Sequence, residues 1–446
     1  MEKPSKFNYM VKNLKGELLL YNSLSTSLGK VTVENADTFM NYFKGVNTDD
    51  RPGLSLQYSA LAKIREMGFI VPEYEDEDLK LRLFDNSNSN TIKLTILPTE
   101  QCNFRCPYCY EEFKRGKMSN EIQNSLVKFI KKNIGYYTNL SISWFGGEPL
   151  VALDVITNLS EKFMQLCKRS KRIYIANMTT NGYLLTLPTF KKLLDCNILT
   201  YQITIDGLRE THNRQKPLVN GGETFDTVIN NLLEIKNTVK TGKFEIMIRT
   251  NITKEIYNDV DNYINYFNER FGDDERFTFL LRPAGDWGGD SVKSYKDQLI
   301  GEDDTLKLYD RFIKSEKSFR FMNNRFLSVG GSICYAADIN SLVVDAEGNI
   351  RKCTCSLEDM ENNKIGELQN NGDIKYNNYK RAQWLVKYKK NDKCNNCFFL
   401  PACQMRSCPA QIVIRNQNEY TCPYEKNSID QTLQLMDKNN QFIIIC

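Results

Sequence analysis

The chain has 446 residues, 59 of them basic and 55 acidic, for a formal net charge of +4. That balance is too mild to imply a nucleic-acid partner, and no apolar run is long enough to span a membrane. Hydrophobic residues at 41% and charged residues at 26% are ordinary for a globular chain of two or three domains with a large core.

The first twenty residues contain no uninterrupted apolar segment of the secretory type, so the expected location is the cytoplasm. Fourteen cysteines stand against a single histidine, His212. Disulfides are disfavoured in that compartment, and zinc sites of mixed Cys and His composition are almost excluded. Soft thiolates without imidazole point to iron–sulfur clusters or all-cysteine zinc.

In chain order, residues 1–84 read as a small α+β unit. FNYMVKNL, ELLLYNSL and GKVTV have the composition of short strands, and ENADTFMNYFKG and LQYSALAKIREMGFIV are helical by periodicity. An acidic run, EYEDEDLK, and a polar linker, FDNSNSN, follow. A regular alternation then occupies residues 91–285. Strands are expected at TIKLTILPT, LSISWFG, RIYIANMTT, LTYQITID, FEIMIRTN and FTFLLRP, with amphipathic stretches between them. Six βα repeats imply a parallel sheet, doubly wound or curved into a barrel, with its chemistry at the carboxyl ends of the strands. Residues 286–330 form a helical bridge, and 331–446 are expected to be cysteine-rich and loop-rich.

Directly after the first strand of the series stands Cys102-Asn-Phe-Arg-Cys106-Pro-Tyr108-Cys109. Three cysteines are one short of a tetrahedral zinc set and odd for a disulfide framework. They suit a cubane cluster in which three irons are held by the chain and the fourth is left free. The second strand ends in Gly146-Gly147-Glu148-Pro149, where glycines let the backbone approach a ligand closely. Thr180 and Asn181 close the third strand, Thr204 and Asp206 the fourth, and Arg249 the fifth. His212 is expected to serve structure or substrate positioning. Downstream, Cys334 and Cys353-Thr-Cys355 precede Cys394-Asn-Asn-Cys397, Cys403, Cys408 and Cys422.

CxxxCxxC in this context resembles the cluster loop of the radical S-adenosylmethionine (SAM) superfamily. The downstream pattern, GxxxxC followed by CxxCx5C and two more cysteines, resembles the SPASM domain. The resemblance covers roughly residues 91–425 and implies a partial (β/α)6 barrel with a cysteine-rich C-terminal domain. By that resemblance Cys102, Cys106 and Cys109 hold a [4Fe–4S] cluster that cleaves SAM to a 5′-deoxyadenosyl radical. Tyr108, Gly146, Gly147, Glu148, Pro149, Thr180, Asn181, Thr204, Asp206 and Arg249 would bind SAM. Cys334, Cys353 and Cys408 would serve a first auxiliary [4Fe–4S] cluster, and Cys394, Cys397, Cys403 and Cys422 a second. Two departures stand out: the Cys403–Cys408 spacing is one residue longer than usual, and seven thiolates are one short of two sets. Cys355 is the eighth, or the first auxiliary cluster keeps an open iron. Cys167, Cys196 and Cys446 are expected to bind nothing.

The implied function is modification of a ribosomally made precursor peptide, giving a thioether or carbon–carbon crosslink. The N-terminal unit is similar in size and element order to the winged-helix leader-binding domain of such maturases, which takes a peptide as an added strand. The implied partners are that peptide with its leader and a flavodoxin- or ferredoxin-type electron donor, with no nucleic acid or membrane. Rivals are a sulfatase maturase forming formylglycine, a maturase of a quinohemoprotein-type precursor, and a non-catalytic metal-binding scaffold. No residue reveals the catalytic base.

Overall fold

The computed structural model describes residues 2–45, 58–87, 90–285, 295–314, 324–385, 392–416 and 422–446. Its strands are β1 (Glu2–Pro4), β2 (Asn8–Lys12), β3 (Leu18–Asn22), β4 (Ser27–Val31), β5 (Ile70–Pro72), β6 (Thr91–Ile96), β7 (Asn139–Trp144) and β8 (Ile173–Thr180). They continue with β9 (Ile198–Thr204), β10 (Glu245–Ile252), β11 (Phe277–Pro283), β12 (Ser341–Val344), β13 (Asn349–Arg351), β14 (Lys364–Leu368), β15 (Ile374–Tyr376) and β16 (Ile443–Ile444).

All six expected parallel strands form, from β6 to β11, each pair in parallel register. Parallel strands covered on both faces normally read as continuous apolar runs. These instead alternate. Ile92, Leu94 and Ile96 of β6 and Leu140, Ile142 and Trp144 of β7 are buried in the main core. Lys93, Thr95, Ser141 and Ser143 face a chamber of about 1070 Å³. The inner face of the sheet therefore borders an open chamber of mixed polar and apolar lining, unlike the packed interior of a closed eight-stranded barrel.

The sheet does not stop at β6. Strand β12 adds in parallel beside β6, and β13, β14 and β15 follow as an antiparallel ribbon. The region expected to be loop-rich thus extends the sheet to ten strands. Its strands are three to five residues long, too short for a period to show.

Two further expectations change in detail. The LQYSALAKIREMGFIV segment, whose residues 56–57 lie outside the described ones, is helical over Tyr58–Glu66 and stops there because Gly68 turns the chain with φ +76° and β5 begins at Ile70. The acidic run and the start of the linker form a helix, Glu77–Ser87. Asp76 Oδ1 accepts from the Asp78 and Leu79 amides, and Glu77 and Asp78 complement the helix dipole.

Strand β3 explains how the N-terminal unit is mounted. Leu18 and Leu20 point into the unit's own core with Phe39, Ile64 and Phe69. Leu19 and Tyr21, on the opposite face, pack with Phe399, Cys403, Leu433 and Met436 of the cysteine-rich region. Both faces of β3 are buried, so the unit is fused to the rest of the molecule. Beside β4 runs β16, in parallel. The Ile445 amide donates to Lys30 O at 2.7 Å and the Thr32 amide to Cys446 O at 2.8 Å, each contributing about 0.5–1.5 kcal/mol. Burial of Ile445 adds about 1.5–3 kcal/mol, against about 1–2 kcal/mol of backbone entropy for each ordered residue.

Candidate active site

The CNFRCPYC loop leaves the carboxyl end of β6 and is docked by its own backbone. Arg105 N donates to Pro217 O at 2.9 Å and Val219 N to Asn103 O at 2.8 Å, while the Phe104 ring meets Tyr183 edge-on. Cys102, Cys106 and Cys109 all line one cavity of about 190 Å³ with Gly146, Gly147, Thr180, Asn181, Thr204, Lys216 and Arg249. All three are free thiols. Burial pushes Cys102 and Cys109 up to about 12 and raises Cys106 as well, so neutral thiols are favoured until a metal compensates the charge. Among the described residues no group of three His, Cys, Asp or Glu is placed to hold a single metal ion.

The GGEP turn is shaped by backbone contact. Gly146 has φ +116°, and a Cβ there would meet Thr99 O; one on Gly147 would meet Glu100 O. Only glycine lets this turn press against the start of the cysteine loop. Glu148 is buried and does not line the cavity. Its Oε1 accepts from Leu150 N at 3.0 Å and Thr180 Oγ1 at 2.7 Å, and its Oε2 from Asn181 N at 2.7 Å. Burial raises its carboxyl to about 7 despite those donors. Glu148 therefore ties the end of β8 to the end of β7, and Pro149 opens the following turn.

Asp206 also stands behind the cavity wall. Its Oδ1 accepts from Asn251 N at 2.8 Å and its Oδ2 from the Tyr108 hydroxyl. Lys216, a residue the sequence reading passed over, is buried with Nζ 3.5 Å from Asp206 Oδ2. The same Nζ is 4.0 Å from Cys106 Sγ and 5.3 Å above the Tyr108 ring. One ammonium thus bridges the cysteine loop to the ends of β9 and β10. His212 is buried beside this network, its Nδ1 accepting from Asp206 N at 3.2 Å. Burial, then Lys216, lowers it to about 3. It is a neutral structural group.

Residues of the described site left without internal partners are informative. Arg249 Nε and Asn103 Nδ2 are buried donors with no acceptor, and Glu111 Oε2 is a buried acceptor with no donor. Arg249 lines the cavity, where its guanidinium fits an anionic ligand group. Glu111, also unflagged by the sequence, is raised to about 8 by burial and then by Glu100, Cys355 and Glu358. Three thiols, a guanidinium and a glycine turn in one wall fit a cluster with a bound amino-acid carboxylate.

The C-terminal cysteines fall into two groups. Cys334 feels Cys408 and Cys355 electrostatically, Cys353 feels Cys355 and Cys334, and Cys408 feels Cys355. Cys355 N donates to Cys353 Sγ at 3.4 Å, and the contact between the two thiols raises Cys353 and lowers Cys355. Cys353 and Cys355 are thus in contact, with Cys334 and Cys408 within electrostatic reach. Cys355 also feels Arg249 and is hydrogen-bonded by Tyr110, which puts this group against the wall of the smaller cavity. In the second group, Lys426 Nζ lies 3.3 Å from Cys422 Sγ and also interacts with Cys397. Cys397 N donates to Cys394 O at 3.2 Å, and Cys403 is buried near Tyr21. Cys167 and Cys196 are buried core residues.

Residues 96–264 match the Radical SAM superfamily. The protein carries a radical SAM domain. The chain is similar to curated proteins of two activities. It is 25% identical over 303 residues to a GTP 3′,8-cyclase of Clostridium botulinum, covering 64% of this chain and 89% of the relative. It is 24% identical over 339 residues to a cysteine-type anaerobic sulfatase-maturating enzyme of Clostridium novyi, covering 70% and 87%. The structure of native anSMEcpe with bound AdoMet and Kp18Cys peptide superposes with TM-score 0.58 at 19% identity, over 78% of this chain and 98% of that one. The radical SAM fold is thus shared across most of the molecule. Among the described residues no helix is long and apolar enough to cross a membrane.

Proposed function

We propose that this radical SAM enzyme modifies a ribosomally made precursor peptide, joining two of its atoms in a thioether or carbon–carbon crosslink. The observation that supports the reading is that Tyr110 and Glu111, which follow Cys109 and line its cavity, interact with Cys355 of the second thiol group. Cys102, Cys106 and Cys109 would hold the SAM-binding cluster, and Cys334, Cys353, Cys355 and Cys408 an auxiliary one. A bound cluster and SAM supply hydrogen abstraction through a 5′-deoxyadenosyl radical, and an adjacent auxiliary cluster supplies an acceptor for the second electron. Cys394, Cys397, Cys403 and Cys422 would hold a further cluster.

In this reading Gly146, Gly147, Thr180, Asn181, Thr204 and Arg249 contact SAM directly. Glu148 and Asp206 position those contacts from behind, with Tyr108 and Lys216 fixing the cysteine loop. The larger chamber shares Phe145, Thr179 and Gln202 with the smaller cavity, so a side chain entering from it reaches the reactive end. Its mixed polar and apolar lining and its size suit a peptide segment. A flavodoxin- or ferredoxin-type donor would deliver electrons.

Similarity to sulfatase-maturating enzymes supports a second reading, oxidation of a cysteine or serine in a folded or nascent protein. Mass spectrometry separates the two. Each peptide encoded beside the gene is co-expressed anaerobically with the enzyme. Loss of two hydrogens per site with one fewer alkylatable thiol is the expected thioether result; the same loss with thiols intact indicates a carbon–carbon bond. No change in these peptides, with conversion of a sulfatase cysteine to an aldehyde, would overturn the peptide reading.

A further inference from the structure

The turn after Cys403 carries two costs that the fold alone does not explain. The short helix Leu400–Cys403 ends at Gln404, whose φ is +47°, and Met405 follows with φ +57°. A left-handed residue just past a helix is most often glycine, sometimes asparagine. This chain uses asparagine for left-handed positions at Asn197, Asn416 and Asn440. Glutamine brings no such conformational advantage, so it is the side chain that the position retains. That side chain is buried, at 5% exposure, and neither Nε2 nor Oε1 has a hydrogen-bond partner among the described residues. A buried amide with donor and acceptor both unmatched bears its full desolvation cost.

The backbone puts Gln404 beside the second thiol group. Cys397 N donates to Cys394 O at 3.2 Å, Leu400 N to Cys397 O at 3.1 Å and Gln404 N to Leu400 O at 2.7 Å. Consecutive turns thus run from Cys394 to Gln404. Arg406 N donates to Cys403 O at 2.8 Å, and Arg406 O accepts from Cys334 N at 2.9 Å. Gln404 therefore stands at the junction of the two C-terminal thiol groups, next to the Cys403 ligand position. Lys426 Nζ, 3.3 Å from Cys422 Sγ, already serves this group as a cationic donor. Four thiolates and the sulfides of a cubane present more sulfur acceptors than one ammonium can meet, and a glutamine amide brings two further N–H donors. The orphaned amide and the four thiols fit an iron–sulfur cluster with a hydrogen bond to sulfur.

We infer that Gln404 donates from Nε2 to a sulfur of the cluster held by Cys394, Cys397, Cys403 and Cys422, and that this bond holds the cluster's reduction potential up. The inference rests on the reading above that these cysteines hold a cluster. A donor to sulfur stabilises the more negative, reduced state, so its removal lowers the potential. The left-handed turn is kept because it places the amide.

The test is a spectroscopic redox titration of the full chain, reconstituted anaerobically with iron and sulfide. The signal lost together with iron in Cys397→Ala identifies the second auxiliary cluster. In Gln404→Leu, which keeps the bulk and removes the amide, that cluster's reduced-to-oxidised ratio at a fixed potential should fall about tenfold, or about 59 mV for a one-electron couple. The other clusters should titrate as in the parent. Gln404→Gly, which suits the left-handed turn, should give the same shift and keeps the test decisive should the leucine variant not fold. An unmoved potential in both variants, with the Cys397-dependent cluster present, would overturn the inference and leave the cluster reading standing. Loss of that cluster's iron from both variants would also overturn it, since the residue would then build the site rather than tune it. No iron lost in Cys397→Ala would remove the cluster reading and the inference together.

Discussion

The two thiol groups nearest the small cavity are made in opposite ways. Cys102, Cys106 and Cys109 sit on one loop of eight residues, so their spacing alone nearly fixes their geometry. Cys334, Cys353, Cys355 and Cys408 come from three separate segments that meet only when β12 joins β6 and Arg406 O accepts from Cys334 N at 2.9 Å. The first kind of site is written in a motif. The second is written in packing, and a motif gives only its parts list.

The largest expected effect breaks the comparison on its local side. Replacing Cys102, Cys106 and Cys109 with Ala should reduce SAM cleavage to background while roughly two thirds of the iron remains. Iron analysis and assay of 5′-deoxyadenosine on the reconstituted protein check this, and persistent cleavage would refute the assignment. On the assembled side, Cys355→Ala should leave SAM cleavage in place but lower product formation on the order of 100-fold. Unchanged turnover and iron content would mean that Cys355 is not a ligand.

Lys216 sharpens the contrast, since it is a distant residue serving the local loop. Lys216→Met removes a positive charge beside Cys106 and leaves Asp206 without its cation. SAM cleavage should slow on the order of tenfold, with the cluster's reduction potential shifted downward in a spectroscopic titration. Lys216→Arg should restore most of both, whereas a purely structural role would leave the potential unmoved. The smallest effect concerns His212. Its folded-state value near 3 lies below an unfolded value of about 6.5. The unfolded chain therefore binds the extra proton first, and stability is full above pH 6.5 and falls as pH drops toward 3. The expected slope is about 1.4 kcal/mol per pH unit, or roughly 2 kcal/mol between pH 6.5 and 5. Denaturant midpoints should show the parent losing about 2 kcal/mol more stability than His212→Gln between those two pH values.

The candidate site was legible in proportion to how local each piece is. The strand ends at Thr180, Thr204 and Arg249 could be placed because six amphipathic repeats declare a parallel sheet. What the sequence could not give was direction: Glu148 and Asp206 are polar residues at strand ends like the others, yet both turn away from the cavity and hold its wall. Lys216 and Glu111 carried no signal at all, because a lysine and a glutamate become unusual only when buried. Spacing leaves the role of Cys355 open, and only the folded chain brings it into contact with Cys353 and Tyr110.

The positions of strands β6 to β11 along the chain, the three-cysteine loop and the glycine turn followed from the sequence alone, because periodicity and short-range spacing act within a few residues. The seventh parallel strand, the contact of Cys355 with Cys353, the lysine at Cys106 and the strand resting on β4 were decided by tertiary structure. Each depends on burial or pairing between segments far apart in the chain. Such contacts take their energy from water excluded at an interface that no single stretch of sequence contains.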